Sequence, residues 1–312
     1  MTRVRLGAVG YLNARPLVFG VERSPRFDLR FDVPSKCAEL LHEHHIDVGL
    51  IPSIEYLRHP AGAASHDRSA AYRIVPDLAI ASRGPVASVA LFATRPIADV
   101  RSIAMDTSSR TSAALVRVLC ARHFRIDPAI ESQGPDLEGM LGRCDAALVI
   151  GDNALFADHE NIRPKADATR PGNIDQIDQI DQIDQIDQID QIDQIDQIDQ
   201  IDQIDKIDLG EVWTSMTGLP FVWAFWAGRD GSLGGDDVEE LSRARDAGTK
   251  QSDLIAEQYF PGEPDRQRAS ARYLRDNIKY SLGSDERAGL ELFYRYAAET
   301  GVVDQAGSLR FF

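Results

Sequence analysis

Apolar runs of five or six residues, separated by amphipathic segments, indicate alternating strands and helices in the first third of the chain. Val4 to Val9, Leu29 to Val33 and Ile46 to Ile51 are predicted strands. A polar residue stands wherever one of these strands gives way to a helix; the three are Asn13, Ser35 and Ser53. Each could be an ordinary helix cap. Because the carboxyl ends of parallel strands meet at one edge of a sheet, the three could also line a common ligand site.

A change of sheet is expected at the alternating run Val86 to Phe92. Beyond it, Ile103 to Met105 is a short predicted strand, and Asp106 to Ser112 leads into an amphipathic helix that runs to about His123. Hydroxyl groups and backbone N–H groups at such a helix start favour an anion, because the helix dipole adds about half a positive charge there.

The aromatic run Phe221 to Ala227 is predicted to return the chain to the first sheet. Three predicted helices follow and should pack on that sheet; they are Asp236 to Gln258, Pro264 to Asp276 and Ser284 to about Glu299. A chain of 312 residues is long enough for two domains. We therefore predict an α/β protein with a central cleft between two lobes, residues 1–92 with 222–312 and residues 93–221.

A low-complexity insertion interrupts the second lobe at about residues 174–206. The triplet Ile-Asp-Gln repeats without a break from Ile174 to Gln203. A period of three fits neither a helix nor a strand, and low-complexity acidic tracts seldom bury enough surface to order themselves. We predict a solvated linker, with a transient helix as the alternative, and assign it no function.

Charge and cysteine content narrow the class of protein. The net charge is −15, but ten of the negative charges are aspartates of the repeat, so the rest of the chain is only mildly acidic. Nucleic acid is therefore not an expected partner. The start of the chain shows no apolar targeting or membrane segment, and three widely spaced cysteines suggest a reduced compartment. We expect a cytoplasmic protein without a membrane partner; no pattern predicts its oligomeric state.

The polar residues at the predicted junctions are hydroxyl, amide and carboxylate side chains. Histidine, cysteine and lysine do not occur among them; the set is Asn13, Ser35, Ser53, Ser82, Ser88, Asp106, Ser108, Ser109, Thr111, Ser112 and Asp152. Such a site recognises a polar anion and offers few dedicated acids or bases. The expected partner is therefore a small molecule.

The sequence predicts no metal site and no cofactor. His42, His44 and His45 stand close together, but no third ligand lies at a junction, so a charged, solvated helix end is the preferred interpretation. Gly7 and Gly10 are spaced wrongly for a dinucleotide fingerprint. The three tryptophans are expected to pack in the core and hinge rather than to stack on a ligand.

Several motifs in the same order resemble the chorismate dehydratases of the futalosine route to menaquinone. They are Gly10-Tyr11-Leu12-Asn13 with Pro16-Leu17, Ile46 to Ser53 with Glu55-Tyr56, Gly84-Pro85-Val86 with Ser88, Ser108 to Ser112, Ile150-Gly151-Asp152, Asp208-Leu209-Gly210 with Trp213, and Thr217 to Phe221. The resemblance covers nearly the whole chain except the repeat. Arg15 departs from it, since a small or neutral residue is expected at that position.

The resemblance implies a fold like that of type 2 periplasmic binding proteins and the loss of water from chorismate, a dicarboxylate, to give 3-[(1-carboxyvinyl)oxy]benzoate. The substrate's own side-chain carboxylate is expected to act as the base. The implied catalytic residues are Asn13 and Ser88, with Asp152 as a further candidate for proton transfer or positioning. The implied substrate-binding residues are Tyr11, Ser35, Ser53, Gly84, Val86, Ser108, Ser109, Thr111 and Ser112.

Two other functions fit the same architecture. The 1,4-dihydroxy-6-naphthoate synthases, later in the same pathway, share the two-lobed fold, and we expect them to use a histidine in the cleft. No histidine falls at a junction of this sequence. A solute-binding protein without chemistry would also show a polar cleft, but export signals are expected in that class.

Overall fold

Residues 3–58, 72–159 and 204–312 are described by the structure, which is a computed structural model. The Ile-Asp-Gln repeat up to Gln203 lies outside these residues, so the linker predicted there stays a prediction. The described strands are β1 (Val4–Val9), β2 (Phe27–Asp32), β3 (Val48–Pro52), β4 (Tyr72–Ser82), β5 (Val89–Ala93), β6 (Ser102–Asp106), β7 (Ala129–Gln133), β8 (Ala146–Ile150), β9 (Asp205–Asp208) and β10 (Phe221–Arg229).

Helices alternate with these strands as the sequence pattern predicts. The α-helices in the described residues are α1 (Pro34–His42), α2 (Arg110–Leu119), α3 (Leu137–Leu141), α4 (Gly151–Leu155), α5 (Leu209–Thr217), α6 (Gly235–Gly248), α7 (Ser252–Tyr259), α8 (Pro264–Asp276) and α9 (Ser284–Glu299). Short 3-10 helices follow β1 and β3, over Leu12–Val18 and Ser53–Leu57, and a π-helical turn over Cys120–Phe124 extends α2.

The strands form two five-stranded sheets, and each sheet forms the centre of one lobe. The first sheet has the order β2-β1-β3-β10-β4, with β1 parallel to β2 and β3, and β10 antiparallel to its neighbours. The second has the order β7-β6-β8-β5-β9. The predicted α/β architecture of two lobes is confirmed, and the aromatic run that forms β10 returns to the first sheet as expected.

The chain changes sheets earlier than the sequence predicted. β5 pairs with β8 and β9, so residues 89–92 belong to the second sheet rather than to the first lobe. The predicted insertion, which runs to about residue 206, overlaps the short strand β9, whose Asp205 pairs with Ala93 at the sheet edge. Phe221 pairs with Ser82 of β4, so it belongs to the first sheet rather than to the second lobe. Pairing across the sheet decides these boundaries, and it is invisible to local periodicity.

One predicted helix is broken in two. The helix predicted over Asp236 to Gln258 ends at Gly248, and α7 begins at Ser252. Gly248 lies so close to the first lobe's 3-10 helix that a Cβ atom there would stand 2.2 Å from the Pro16 carbonyl oxygen. A glycine is required at this contact and weakens the helix at the same point. The other two C-terminal helices have the predicted bounds, to the residue.

Aromatic side chains fill the core between β10 and the C-terminal helix α9. Trp213 and Trp226 are fully buried, and the Trp213 ring meets the edges of Phe221 and Phe293. Each such side chain contributes about 1.5–3 kcal/mol through burial. The expected packing role is confirmed for both tryptophans. Trp223 is also largely buried, but it lies against the cleft.

A buried carboxylate ties the two lobes together beside α2. Glu55 is 1% exposed, and its oxygens accept hydrogen bonds from Arg58 at 2.9 Å and from Arg110 of the second lobe at 2.9 Å. Burial opposes ionisation, but the hydrogen bond with His42 and the charges of the two arginines outweigh it and hold the pKa of Glu55 below its usual value.

The expected solvated helix end holds for two of the three histidines His42, His44 and His45. His44 and His45 are exposed at the end of α1. His42 is not solvated, because its ring lies 2.8 Å from the Tyr72 hydroxyl and 3.3 Å from Glu55. None of the histidine, cysteine, aspartate and glutamate groups in the described residues is clustered as a metal site requires. Among the described helices, none is long and apolar enough to cross a membrane.

Replacing Glu55 with glutamine should destabilise the protein at neutral pH and much less in acid. Removing a buried partner of two arginines costs about 2–3 kcal/mol, reduced here because both arginines can reach water. A depressed pKa stabilises the fold above the unfolded value of 4.5 and stops doing so as the pH falls through the folded value. Urea unfolding near pH 7 and near pH 3.5 measures the difference.

The matched control is Glu43→Gln, which removes an exposed carboxylate directly after α1 and should change the unfolding free energy by less than about 0.5 kcal/mol. An equal loss for Glu55→Gln at both pH values would contradict the ionic role of Glu55.

Candidate active site

A small cavity lies between the lobes, at the carboxyl ends of strands from both sheets. Its free volume is about 40 Å³, and one buried water needs about 10–15 Å³. A ligand with a ring and two acid groups is far larger, so such a ligand enters only when the lobes move apart. The lining residues are Val9, Tyr11, Asn13, Pro34, Pro52, Ile80, Val86, Ser88, Val89, Ser109, Ser112, Ile150, Gly151, Trp223 and Ala224.

The structure brings six of the predicted site residues to this cavity, namely Tyr11, Asn13, Val86, Ser88, Ser109 and Ser112. The other six surround it without lining it; they are Ser35, Ser53, Gly84, Ser108, Thr111 and Asp152. None of the lining residues carries a charged side chain. Two larger depressions elsewhere, of about 530 and 610 Å³, contain none of the twelve.

Asn13 occupies the loop that follows the first strand. It lies in the 3-10 helix that begins at Leu12, directly after Tyr11, and its side chain makes no cap for that helix. Its carbonyl oxygen Oδ1 is buried and has no hydrogen-bond partner among the described residues. A buried acceptor left unpaired costs about 1–3 kcal/mol, so this oxygen is a strong candidate for contact with a ligand.

Ser88 lies on the segment that joins the two sheets and is 1% exposed. Its hydroxyl oxygen accepts a hydrogen bond at 2.7 Å from Tyr273, which reaches it from α8. Its backbone carbonyl accepts from the Gly151 N–H at 2.8 Å. Ser88 is therefore held on both sides where the chain passes from one lobe to the other.

A tight turn before Ser88 explains why Gly84 and Val86 belong to the motif. Gly84 has a φ of 82°, a left-handed conformation that favours glycine. The backbone N–H groups of Val86 and Ala87 donate to the Asp208 carboxylate at 3.0 and 2.6 Å, and Asp208 also caps α5. Gly84 thus shapes the turn and does not line the cavity.

The start of α2 presents two serine hydroxyl groups to the cavity. Ser109 is the N-cap of this ten-residue helix, and its Oγ lies 2.9 Å from the Ser112 Oγ. Ser108 turns away, because its hydroxyl and N–H both donate to Asp106 Oδ1. Burial raises the pKa of Asp106 against the opposing effect of these hydrogen bonds.

Three predicted binding residues connect the lobes instead of lining the cavity. The Ile54 N–H donates to Thr111 Oγ1 at 3.2 Å. Ser53 Oγ lies 3.4 Å from Thr111 Oγ1 across the boundary, and it donates to the Val222 carbonyl of its own lobe at 2.8 Å. The Ser35 N–H donates to the Ser108 carbonyl at 3.1 Å. Pro34 and Pro52 line the cavity where the sequence predicted Ser35 and Ser53, so contact of these two serines with a ligand stays a prediction.

Asp152 also joins the lobes. Its two carboxylate oxygens accept from the Leu12 N–H at 3.3 Å and from the Tyr259 hydroxyl at 2.5 Å. Burial raises the pKa of Asp152, although these hydrogen bonds oppose the rise. Next to it, Gly151 has a φ of 63° and lies so close to the Tyr11 ring that a Cβ atom would come within 3.0 Å of it.

Arg15 brings no free charge to the cleft. Its guanidinium group donates to the Gly10 carbonyl at 3.2 Å and lies 4.3 Å from the Phe31 ring centroid and 5.2 Å from that of Tyr259. Cation–π contacts of this kind stabilise a charge away from bulk water. The departure from the expected small residue is therefore accommodated beside the first strand.

Sequence reasoning missed Tyr259, Tyr273 and Trp223. Both tyrosines lie on C-terminal helices that the sequence analysis treats only as packing elements. Trp223 lies on the return strand and donates its ring N–H to Ser82 Oγ at 3.1 Å. No motif marks the two tyrosines, because their contacts depend on how these helices pack on the first lobe.

Comparison with known proteins indicates the family to which this chain is similar. A family model described as menaquinone biosynthesis matches residues 4–167 and 199–299. A chorismate dehydratase of Thermus thermophilus is 27% identical over 297 residues, which are 92% of this chain and 93% of that protein. The predicted resemblance to chorismate dehydratases is confirmed.

Solved structures place the fold among periplasmic binding proteins. A protein of Archaeoglobus fulgidus matches with a TM-score of 0.61 and 14% identity, covering 96% of this chain and 98% of that one. The alkanesulfonate-binding protein SsuA of Xanthomonas axonopodis pv. citri, bound to MOPS, matches with a TM-score of 0.58 and 14% identity, covering 97% and 94%. The residues matched by the family model include both lobes and the loops that meet at the cavity. The chain therefore belongs to the menaquinone-biosynthesis family.

Proposed function

We propose that the protein is a chorismate dehydratase, a carbon–oxygen lyase that eliminates water from chorismate to give 3-[(1-carboxyvinyl)oxy]benzoate. The observation that carries the proposal is the lining of the cavity, which offers hydroxyl and amide groups but no charged side chain. The homologue from Thermus thermophilus supports the same substrate. We also propose a cytoplasmic location. The three cysteines are free and buried, which agrees with a reducing compartment.

An uncharged site suits this reaction because the substrate can bring its own base. Loss of a ring hydrogen and of the neighbouring hydroxyl makes the ring aromatic, so the overall reaction is strongly favourable. The barrier lies in removing a weakly acidic C–H proton and in avoiding rearrangement of the enolpyruvyl arm. A carboxylate held over that C–H can lower the barrier by about 7 kcal/mol or more through orientation alone.

The residues divide between holding the substrate and orienting the reacting atoms. Ser109, Ser112 and the first N–H groups of α2 bind a carboxylate, which the helix dipole favours. Asn13 and Ser88 hydrogen-bond the reacting region from the other side of the cavity. Tyr11 closes the site by packing on Gly151.

A histidine-dependent reaction, as expected for the 1,4-dihydroxy-6-naphthoate synthases, is less well supported. No histidine lines the cavity. His42 belongs to the Glu55 cluster at the lobe boundary.

Incubation of the purified protein with chorismate, followed by liquid chromatography, tests the proposal. Accelerated formation of the enolpyruvyl benzoate over a control without enzyme is the expected result. Tight binding of chorismate with no product would overturn the enzymatic proposal in favour of a binding protein. Failure to bind chorismate would overturn the proposed substrate.

Asn13→Ala should reduce kcat by about 100-fold, because it removes the unpaired acceptor from the cavity while the carboxylate contacts at α2 remain. Chorismate binding, measured by calorimetry, should weaken by less than about fivefold. The matched control is Asn153→Ala, an exposed asparagine two residues after Gly151 of the cavity wall. Unchanged turnover of Asn13→Ala would contradict its assignment.

For Asp152 we propose a positioning role rather than proton transfer, since both of its oxygens are engaged with the first lobe. Asp152→Ala and Tyr259→Phe should then act alike, raising KM by about three- to tenfold and enlarging the radius of gyration without ligand. Kinetics and small-angle scattering measure both effects. Tyr296→Phe, a tyrosine on α9, is the control.

Abolition of turnover by Asp152→Ala alone, with Tyr259→Phe near the wild-type rate, would instead make Asp152 the proton-transfer group.

A further inference from the structure

Behind the cavity, a buried tyrosine determines the direction in which Ser88 forms hydrogen bonds. Tyr273 is 3% exposed and its hydroxyl donates to Ser88 Oγ at 2.7 Å. A phenol has one proton, so in this arrangement the Ser88 oxygen is an acceptor toward Tyr273. The proton of the Ser88 hydroxyl is then left for another partner, and Ser88 lines the cavity.

Asn13 lines the same cavity as Ser88. Its carbonyl oxygen Oδ1 is buried and has no hydrogen-bond partner among the described residues. Burial raises the pKa of Tyr273, so the phenol keeps the proton that it donates to Ser88. The cavity is therefore lined by an acceptor, Asn13 Oδ1, and by a hydroxyl whose proton is not used by Tyr273, that of Ser88.

We propose that Tyr273 is a positioning residue for the elimination, which commits the Ser88 O–H to donate to the oxygen of the leaving hydroxyl group while Asn13 Oδ1 accepts the proton of that same hydroxyl. This inference rests on the proposed dehydratase function. Tyr273 itself lies behind Ser88, is absent from the cavity lining and acts only through it. Successive hydrogen bonds polarise one another, so the chain strengthens the last donor.

The step balances without any other reactant. The carboxylate of the enolpyruvyl arm takes the ring proton, the electrons of that C–H bond form the new ring double bond, and the C–O bond breaks with its electrons on oxygen. The Ser88 donor stabilises the charge that develops there. The departing hydroxide then takes the proton held by the carboxylate, which releases one water and restores the carboxylate.

Tyr273→Phe should lower kcat for chorismate by about 10- to 100-fold and change the binding constant by less than about threefold. Tyr280→Phe is the matched control, because Tyr280 is also buried, in the segment after α8, and its hydroxyl has no partner in the described part of the chain. It should leave both constants unchanged. A loss in binding equal to the loss in kcat would overturn the positioning role.

A double-mutant cycle shows whether Tyr273 acts through Ser88. In the Ser88→Ala background, addition of Tyr273→Phe should change kcat by less than about twofold, because the group it orients is already gone. The same fold-loss in both backgrounds would mean that Tyr273 acts independently of Ser88, and the proposal would be wrong.

The hydrogen bond itself can be tested without turnover, which separates this inference from the proposed function. With ¹³C at the tyrosine Cζ, the NMR resonance that Tyr273→Phe deletes belongs to Tyr273. Ser88→Ala should shift that resonance and leave the one assigned to Tyr280 in place. If Ser88→Ala leaves the Tyr273 resonance unshifted, the hydrogen bond from Tyr273 to Ser88 is wrong even if the protein converts chorismate. If the resonance shifts but chorismate is not converted, the hydrogen bond is correct and only the proposed function is wrong.

Discussion

Hydrogen bonds between uncharged or half-buried polar groups across the lobe boundary hold the cavity walls in place. Asp152 of the second lobe accepts from Leu12 and Tyr259 of the first, and Thr111 accepts from Ile54. Apart from Tyr259, which ends α7, these residues lie where a strand ends and a helix begins. The walls of the cavity therefore exist in this form only while the lobes are together, and opening the cleft breaks the same bonds that shape it.

Under the proposed function, this dependence couples closure of the two lobes to the reaction. Each bond across the boundary contributes about 0.5–1.5 kcal/mol, so several of them sum to a modest preference that a ligand can reverse or reinforce. Inside the closed cavity, water is largely excluded. A carboxylate without water is a stronger base, and a single hydroxyl donor has more effect on a developing charge there than in solvent.

Much of the fold could be predicted from periodicity, and much of the site could not. The first strand and the last two helices have the predicted bounds because their patterns are long and their ends are marked by Pro264 and Gly283. The strand β9 and the change of sheet at Val89 depend on partners distant in sequence. Asn13 and Ser88 stand in recognisable motifs, and both line the cavity. Tyr259 and Tyr273 were not predicted, since only the packing of the C-terminal helices brings them to the cleft.

The origin of these two tyrosines explains how an acidic protein can present a neutral site to the dicarboxylate of the proposed reaction. The loops after the strands supply short side chains, which reach the cavity but cannot fix their own hydroxyl protons. The C-terminal helices lie behind the first sheet's loops and supply long, rigid phenols that do so, Tyr273 toward Ser88 and Tyr259 toward Asp152. Because a phenol is uncharged, it orients these groups without adding a charge, which in the proposed reaction would bind the carboxylates of chorismate in the wrong place. Under that proposal, specificity for the leaving hydroxyl group can be built from the direction of hydrogen bonds alone.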